Sequence, residues 1–317
     1  MASPPRQGLP CPLPLPPTPT RTPHRPSSKR PRLVQGLVCT LVCLAAIAAT
    51  APAAATTPPW RAFHGATIIG TDMIIFGGTT DPSADPFGPS VPGSNSLFIW
   101  STTLRQWSQP AYSDLTNNGG PPRPQKFLTS VPLASEFKML SIVSNSSTGT
   151  TQGNLLGLDV HSWTWSVPTS PNPDVAPPSR LGAAVGMTEN SILIHGGTAA
   201  SFTGYAASTS VLNDLTKLDG STLEWKSIAN GPALMYHTMC KLTGLNKMVI
   251  FGGSDSASNA FNTVHTFDLE QETWTLNVPV SPGIGGSVPS IRKGHSATCL
   301  NNTMIVFGMY LPRGLCY

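Results

Sequence analysis

From about residue 58 onward, the apolar and polar positions of this chain follow one pattern that recurs. A short β-branched or aromatic run ends in a glycine pair or its replacement. These runs are Ile74-Ile75-Phe76-Gly77-Gly78, Ser141-Ile142-Val143-Ser144-Asn145, Leu193-Ile194-His195-Gly196-Gly197, Val249-Ile250-Phe251-Gly252-Gly253 and Ile305-Val306-Phe307-Gly308-Met309. Such runs are too short for a buried helix and are stopped by glycine, so they predict strands buried on both faces. Downstream, an acidic residue or its stand-in lies six places before a tryptophan: Ser101 and Trp107, Asp159 and Trp165, Asp219 and Trp225, Asp268 and Trp274. Around the last of these, Glu272-Thr273-Trp274-Thr275-Leu276 alternates polar and apolar residues, which predicts an outer strand with one wet face. Upstream of the run comes an arginine and often a histidine, as in Arg61-Ala62-Phe63-His64 and Arg292-Lys293-Gly294-His295. No stretch from 58 to 317 keeps a capped 3.6-residue apolar period, so helix is expected to be minor.

With the first glycine or its equivalent at 77, 144, 196, 252 and 308, the unit resembles the kelch repeat, one blade of a β-propeller. The resemblance implies an all-β, kelch-type propeller over 58–317, with four complete four-stranded blades and the first two strands of a fifth. Its structural marks are Gly77, Gly78, Gly196, Gly197, Gly252, Gly253, Trp107, Trp165, Trp225 and Trp274. Kelch rings usually hold five to seven blades and close with strands from both termini. The expectation is therefore a fragment or truncated gene model of a longer, fungal-type surface protein.

Composition changes the picture at the N-terminus. Residues 1–32 are proline-rich and carry six of the 19 Lys and Arg with no acid, leaving 13 basic against 15 acidic residues in the remainder. A nucleic-acid surface is therefore not indicated. This basic leader, expected to be disordered, precedes an uncharged apolar segment, Leu33 to Ala49, and small residues such as Ala53-Ala54-Ala55. That is the order of a signal sequence, with 33–55 as its apolar and cleavage region or as a signal anchor. Either way the repeats are expected outside the cytoplasm. The acceptor triplets at Asn145 and Asn301 fit glycosylation there. Membrane association is expected, if at all, through 33–49 or a C-terminal segment. Cys240 and Cys299 follow a histidine by three and four places on the first strands of adjacent units. A disulfide stays open, but that unequal offset favours two small buried thiols.

Candidate chemistry is sparse. His64, His237 and His295 hold corresponding places, but no acid or cysteine cluster with ligand spacing joins them, so packing is the expected role and no metal or other cofactor is expected. His195 stands where other units have Phe. Tyr236-His237 resembles a copper-ligand pair of galactose oxidase and other copper radical oxidases, also kelch-like propellers. The second tyrosine with its cysteine and the remaining histidine have no counterpart. The better signal is in three long connections, Thr79 to Asn95, Thr198 to Asn213 and Ser254 to Asn262. They are rich in small polar residues with single aromatics, Phe87, Phe202, Tyr205 and Phe261, which suits a recognition surface or a cover for the propeller face. The expected function is non-enzymatic recognition or adhesion at the cell surface, binding protein or carbohydrate. The alternatives are a copper oxidase acting on carbohydrate or alcohol groups and a cytosolic kelch scaffold.

Overall fold

The structure is a computed structural model. It describes residues 57–80, 93–110, 122, 128–133, 138–143, 155–178, 180–199, 210–280 and 287–308. The leader, the apolar segment, Phe87, Asn145, Phe202, Tyr205 and Cys316 lie outside them.

The repeated pattern folds into antiparallel sheets. The first comprises β1 (Gly65–Ile69), β2 (Asp72–Phe76), β3 (Leu97–Ser101) and β4 (Gln106–Ser108). The second holds β5 (Leu128–Leu133), β6 (Lys138–Val143), β7 (Leu155–Asp159) and β8 (Thr164–Ser166). In the third, β9 (Arg180–Leu181) pairs with β12 (Thr198–Ala199) beside a sheet of β10 (Ala184–Met187), β11 (Ser191–His195), β13 (Leu215–Asp219) and β14 (Trp225–Ser227). The fourth holds β15 (Thr238–Leu242), β16 (Lys247–Phe251), β17 (Val264–Asp268) and β18 (Thr273–Thr275). The fifth unit contributes β19 (Ser296–Leu300) and β20 (Thr303–Phe307). First strands of successive units lie side by side, β1 with β5, β10 with β15 and β15 with β19, as the inner strands of a propeller do. The connection after Gly197 begins as a strand, where the sequence suggested only a loop.

The apolar runs are the second strands, hydrogen-bonded on both sides in the first four units; in β11 every residue is buried. Their alternate side chains serve two interfaces. Ile74, Phe76 and Leu97 of the first blade pack with Met139, Leu158 and Trp165 of the second. Leu140 and Leu155, on the opposite face of the second, pack with Ile192, Ile194, Leu218 and Trp225 of the third. Leu193 and Leu215 then meet Met248, Ile250 and Phe267 of the fourth. Because side chains alternate with period two, a continuous apolar run is what two such interfaces demand.

The expectation of two free thiols is overturned: Cys240 and Cys299 are joined, with Cα atoms 5.7 Å apart. Register explains it. Cys240 pairs with Val249 and Cys299 with Met304, so the two side chains face each other across the junction of the fourth and fifth units. Both strands begin one residue beyond their histidine, so the extra place after His295 turns Cys299 to the opposite face from Cys240, which is what two packed successive blades require. Among the described residues the helical pieces are two 3-10 turns, Pro173–Val175 and Thr243–Leu245. No helix there is long and apolar enough to cross a membrane.

Candidate functional site

The residues that recur most strongly gather where one blade hands over to the next. Both glycines of a pair have positive φ, 66° and 89° at Gly252 and Gly253. The Gly253 amide donates to the Arg292 carbonyl of the following unit at 2.9 Å, and the Gly197 amide to that of Leu234 at 2.8 Å. A side chain on Gly252 would lie 2.7 Å from the same Arg292 carbonyl. The pair is therefore the place where the next unit's chain crosses at backbone contact.

The upstream arginine closes this turn within its own blade. Arg61, Arg180 and Arg292 donate through Nη1 to the carbonyls of Gly77, Gly196 and Gly308 at 2.7, 3.0 and 3.0 Å. Arg180 also makes a bidentate pair with Asp214 at 2.8 and 2.9 Å, and the Arg61 guanidinium lies 4.6 Å above the Phe98 ring. The arginine was visible in the sequence, but its carbonyl target was not, since the two are 16 residues apart in each case.

The histidines occupy the same junctions. His237 lies against Gly196 and Gly253, and His295 against Gly252. His195, fully buried, meets His237 through Nδ1 and Nε2 at 2.9 Å. Its ring centroid is 5.0 Å from that of Trp274, the relation that Phe76 has with Trp165 at 4.4 Å. His195 is thus the Phe-column residue of its unit, with a hydrogen bond added. Burial pushes His195 down to about 3 and His295 down to about 4, the latter also opposed by Arg292. His237 is held well below its ordinary value by burial and by the neighbouring imidazoles. His195 Nε2 and His237 Nδ1 have no hydrogen-bond partner, so this is a neutral pair. His265, which the sequence reading passed over, accepts from the Asn277 amide and bonds the Thr263 hydroxyl.

Tyr236, next to His237, is held by the same junctions. Tyr236 holds φ 57°, and a side chain added at Gly182 would meet its ring at 2.9 Å. Its amide donates to the Gly182 carbonyl and its carbonyl accepts from the Gly294 amide. Among the described residues no three His, Cys, Asp or Glu are grouped to hold a metal.

With the junctions in place, the family can be read. A family model for the Attractin/LZTR1 beta-propeller matches residues 47–311. The chain belongs to that family. Among curated relatives, it is 26% identical over 268 residues to human Kelch domain-containing protein 10, covering 80% of this chain and 56% of that protein. The Xenopus laevis protein of the same name is 26% identical over 269 residues, 80% of this chain and 60% of its own. Acyl-CoA-binding domain-containing protein 4 of Arabidopsis thaliana is 27% identical over 255 residues, 79% of this chain and 35% of that protein. The chain thus spans about half the length of the first of these relatives.

In this beta-propeller the acidic residue before each tryptophan shapes the last hairpin. Asp159 accepts from the amides of His161 and Ser162, Asp219 from Ser221 and Thr222, and Asp268 from Glu270 and Gln271. Those amides hold the three carboxyls below the usual range. The residue two before each tryptophan, Arg105, Trp163, Leu223 or Glu272, has positive φ and completes the turn. Trp165, Trp225 and Trp274 then pack on the preceding blade, whereas Trp107 of the first blade stacks on its cross-strand neighbour Trp100 at 5.3 Å. Of the four loop aromatics, Phe261 is the one described. It is partly buried and packs against the core between the third and fourth blades. Asn301 lies exposed in the β19–β20 hairpin with φ 54°.

Proposed function

We propose that this propeller is a non-enzymatic recognition or adhesion module of an exported or cell-surface protein, binding protein or carbohydrate through the connections between second and third strands. One observation carries the reading: the residues that repeat are spent on the scaffold. Glycine, arginine, histidine, aspartate and tryptophan all close turns or blade junctions, which leaves the connections as the variable surface. The described one, Ser254 to Asn262, is preformed. Asp255 accepts from the amides of Ala257 and Asn259 and from the Asn259 side chain, and its own amide donates to the Asn259 carbonyl. A preformed loop loses little entropy on binding.

Export is supported by the order of the first 55 residues, by the exposed Asn301 triplet and by the Cys240–Cys299 bridge, since disulfides persist in oxidising compartments. The test uses the protein expressed through a eukaryotic secretory pathway, labelled, and applied to intact cells and a glycan array. Replacing residues 255–259 with a Gly-Ser stretch should keep the melting temperature within a few degrees and abolish binding. Binding equal to wild type would refute the loop-face reading. Copper uptake with peroxide release from galactose would favour the oxidase alternative. A cytosolic product whose mobility is unchanged by glycosidase would favour the scaffold.

A further inference from the structure

His265 joins two connections of the fourth blade. It is the second residue of β17 and pairs with Ile250, whose side chain packs in the core between the third and fourth blades, so the imidazole faces the third blade and is 5% exposed. Both blades around it have all four strands. On one side its Nε2 meets the Thr263 hydroxyl at 3.1 Å, where the Ser254 to Asn262 connection ends. On the other its Nδ1 meets the Asn277 amide at 3.2 Å, where the chain leaves β18. That segment, 276–280, is also tied to β17 by the Val278 amide, which donates to the Val264 carbonyl at 2.8 Å, and it exposes Leu276 and Val280.

These contacts fix the tautomer. A backbone N–H can only donate, so Nδ1 carries the lone pair and Nε2 the hydrogen, which the Thr263 oxygen accepts. A proton on Nδ1 would set two N–H groups against each other and place a cation where little water reaches it. The Thr263 bond would survive. Burial already holds His265 below its ordinary value. Facing it across the blade junction are the imidazoles of His195 and His237, with Asp214 and Arg180, paired to each other, beside His195 and with His295 beside His237. A proton on any of these imidazoles would add a like charge and oppose a second one on His265.

We propose that His265 is an acid-sensitive latch: protonation at Nδ1 releases Asn277 and frees segment 276–280, which leaves the blade at the same end as Ser254 to Asn262. Asn277 holds φ 51°, in the left-handed region, and release lets it relax. The latched form is fully favoured above about pH 6.5, and each pH unit below that raises opening by up to about tenfold until the folded value is reached. Any effect on binding rests on the loop-face reading, whereas hydrogen exchange needs no ligand and tests the latch apart from it.

Exchange on the full chain, corrected for the intrinsic rate at each pH, should show the Asn277 and Val278 amides losing protection by about tenfold to thirtyfold between about pH 6.5 and about pH 5, while β16 keeps its own. His265→Asn keeps an acceptor oxygen beside Asn277 but cannot take the proton, and should hold the segment alike at both pH values. His265→Leu removes the acceptor and should leave the segment open at both. Where a variant fails to fold, the imidazole nitrogen shifts of the wild type decide: Nδ1 should be unprotonated near neutral pH, and its titration should move together with the Asn277 amide. Flat protection of 276–280 in the wild type overturns the proposal. So do parallel opening of β16, a pH dependence that His265→Asn retains, and a proton on Nδ1 at neutral pH.

Discussion

Gly253 holds φ at 89°, and a side chain there would lie 2.7 Å from the His237 side chain and 2.9 Å from the Met235 carbonyl. Both the angle and the space exclude an L side chain, so Gly253→Val should cost well over the ~1 kcal/mol typical of glycine effects. Chemical denaturation measures that directly. The buried histidines give a second prediction at this scale. Their folded values lie below the ordinary imidazole range, so the unfolded chain binds more protons between about pH 6.5 and the folded values near 3 and 4. Stability is therefore full above about pH 6.5 and falls as the pH drops, by up to about 1.4 kcal/mol per pH unit for each such group. His195→Phe restores the ring that other units carry and removes one titrating group. It should lower stability at pH 7 by about 1–3 kcal/mol, because the His237 nitrogen loses its partner, and should flatten the fall between pH 6.5 and 4. Melting temperatures across that range test both effects.

At the scale of the element, the tryptophan strand is a separate device from the run that precedes it. Its hairpin is set by the aspartate and the positive-φ residue, and its ring leaves its own blade to fill the neighbour's core. Trp165, 1% exposed and packed on Phe76, should cost about 3–5 kcal/mol when replaced by alanine. Trp107→Ala should cost clearly less, since its ring is only half-buried against Trp100. Equal losses in paired urea titrations would mean that the ring acts within its own sheet. The fifth-unit hairpin keeps the arginine closure, Arg292 to Gly308, and adds the bridge from Cys299 to Cys240.

For the whole molecule, that bridge closes a loop of 59 residues between the fourth and fifth units. Replacing both cysteines with serine should lower stability by about 2–4 kcal/mol and make β19–β20 the first segment cut in limited proteolysis. Unchanged cleavage would mean that blade packing alone retains the fifth unit. A reductant should produce the same loss and the same early cleavage in the wild type and change neither in the variant.

The repeat itself was legible in the sequence because its signals are local. A β-branched run stopped by glycine dictates a strand and a turn whatever surrounds it, and an aspartate six places before a tryptophan caps its own hairpin. Those signals determined the four blades, the partial fifth and the place of Asn301 in a turn. What lay beyond them depended on residues far apart in the chain. Whether Cys240 meets Cys299 turned on the register of two hairpins, and the unequal offsets from histidine misled because successive blades meet through opposite faces, so side chains at equal offsets would point the same way. The partner of His195 is 42 residues away, and the target that Arg61, Arg180 and Arg292 share is a glycine carbonyl, which any residue could supply. Phe76 is buried because the second blade lies over it, a fact that its local sequence, Ile74-Ile75-Phe76-Gly77, does not contain. The sequence by itself determined which faces are apolar, since pleating alternates them; only the packing of blade on blade decided which are covered, because burial belongs to pairs of surfaces and not to the strand that presents one of them.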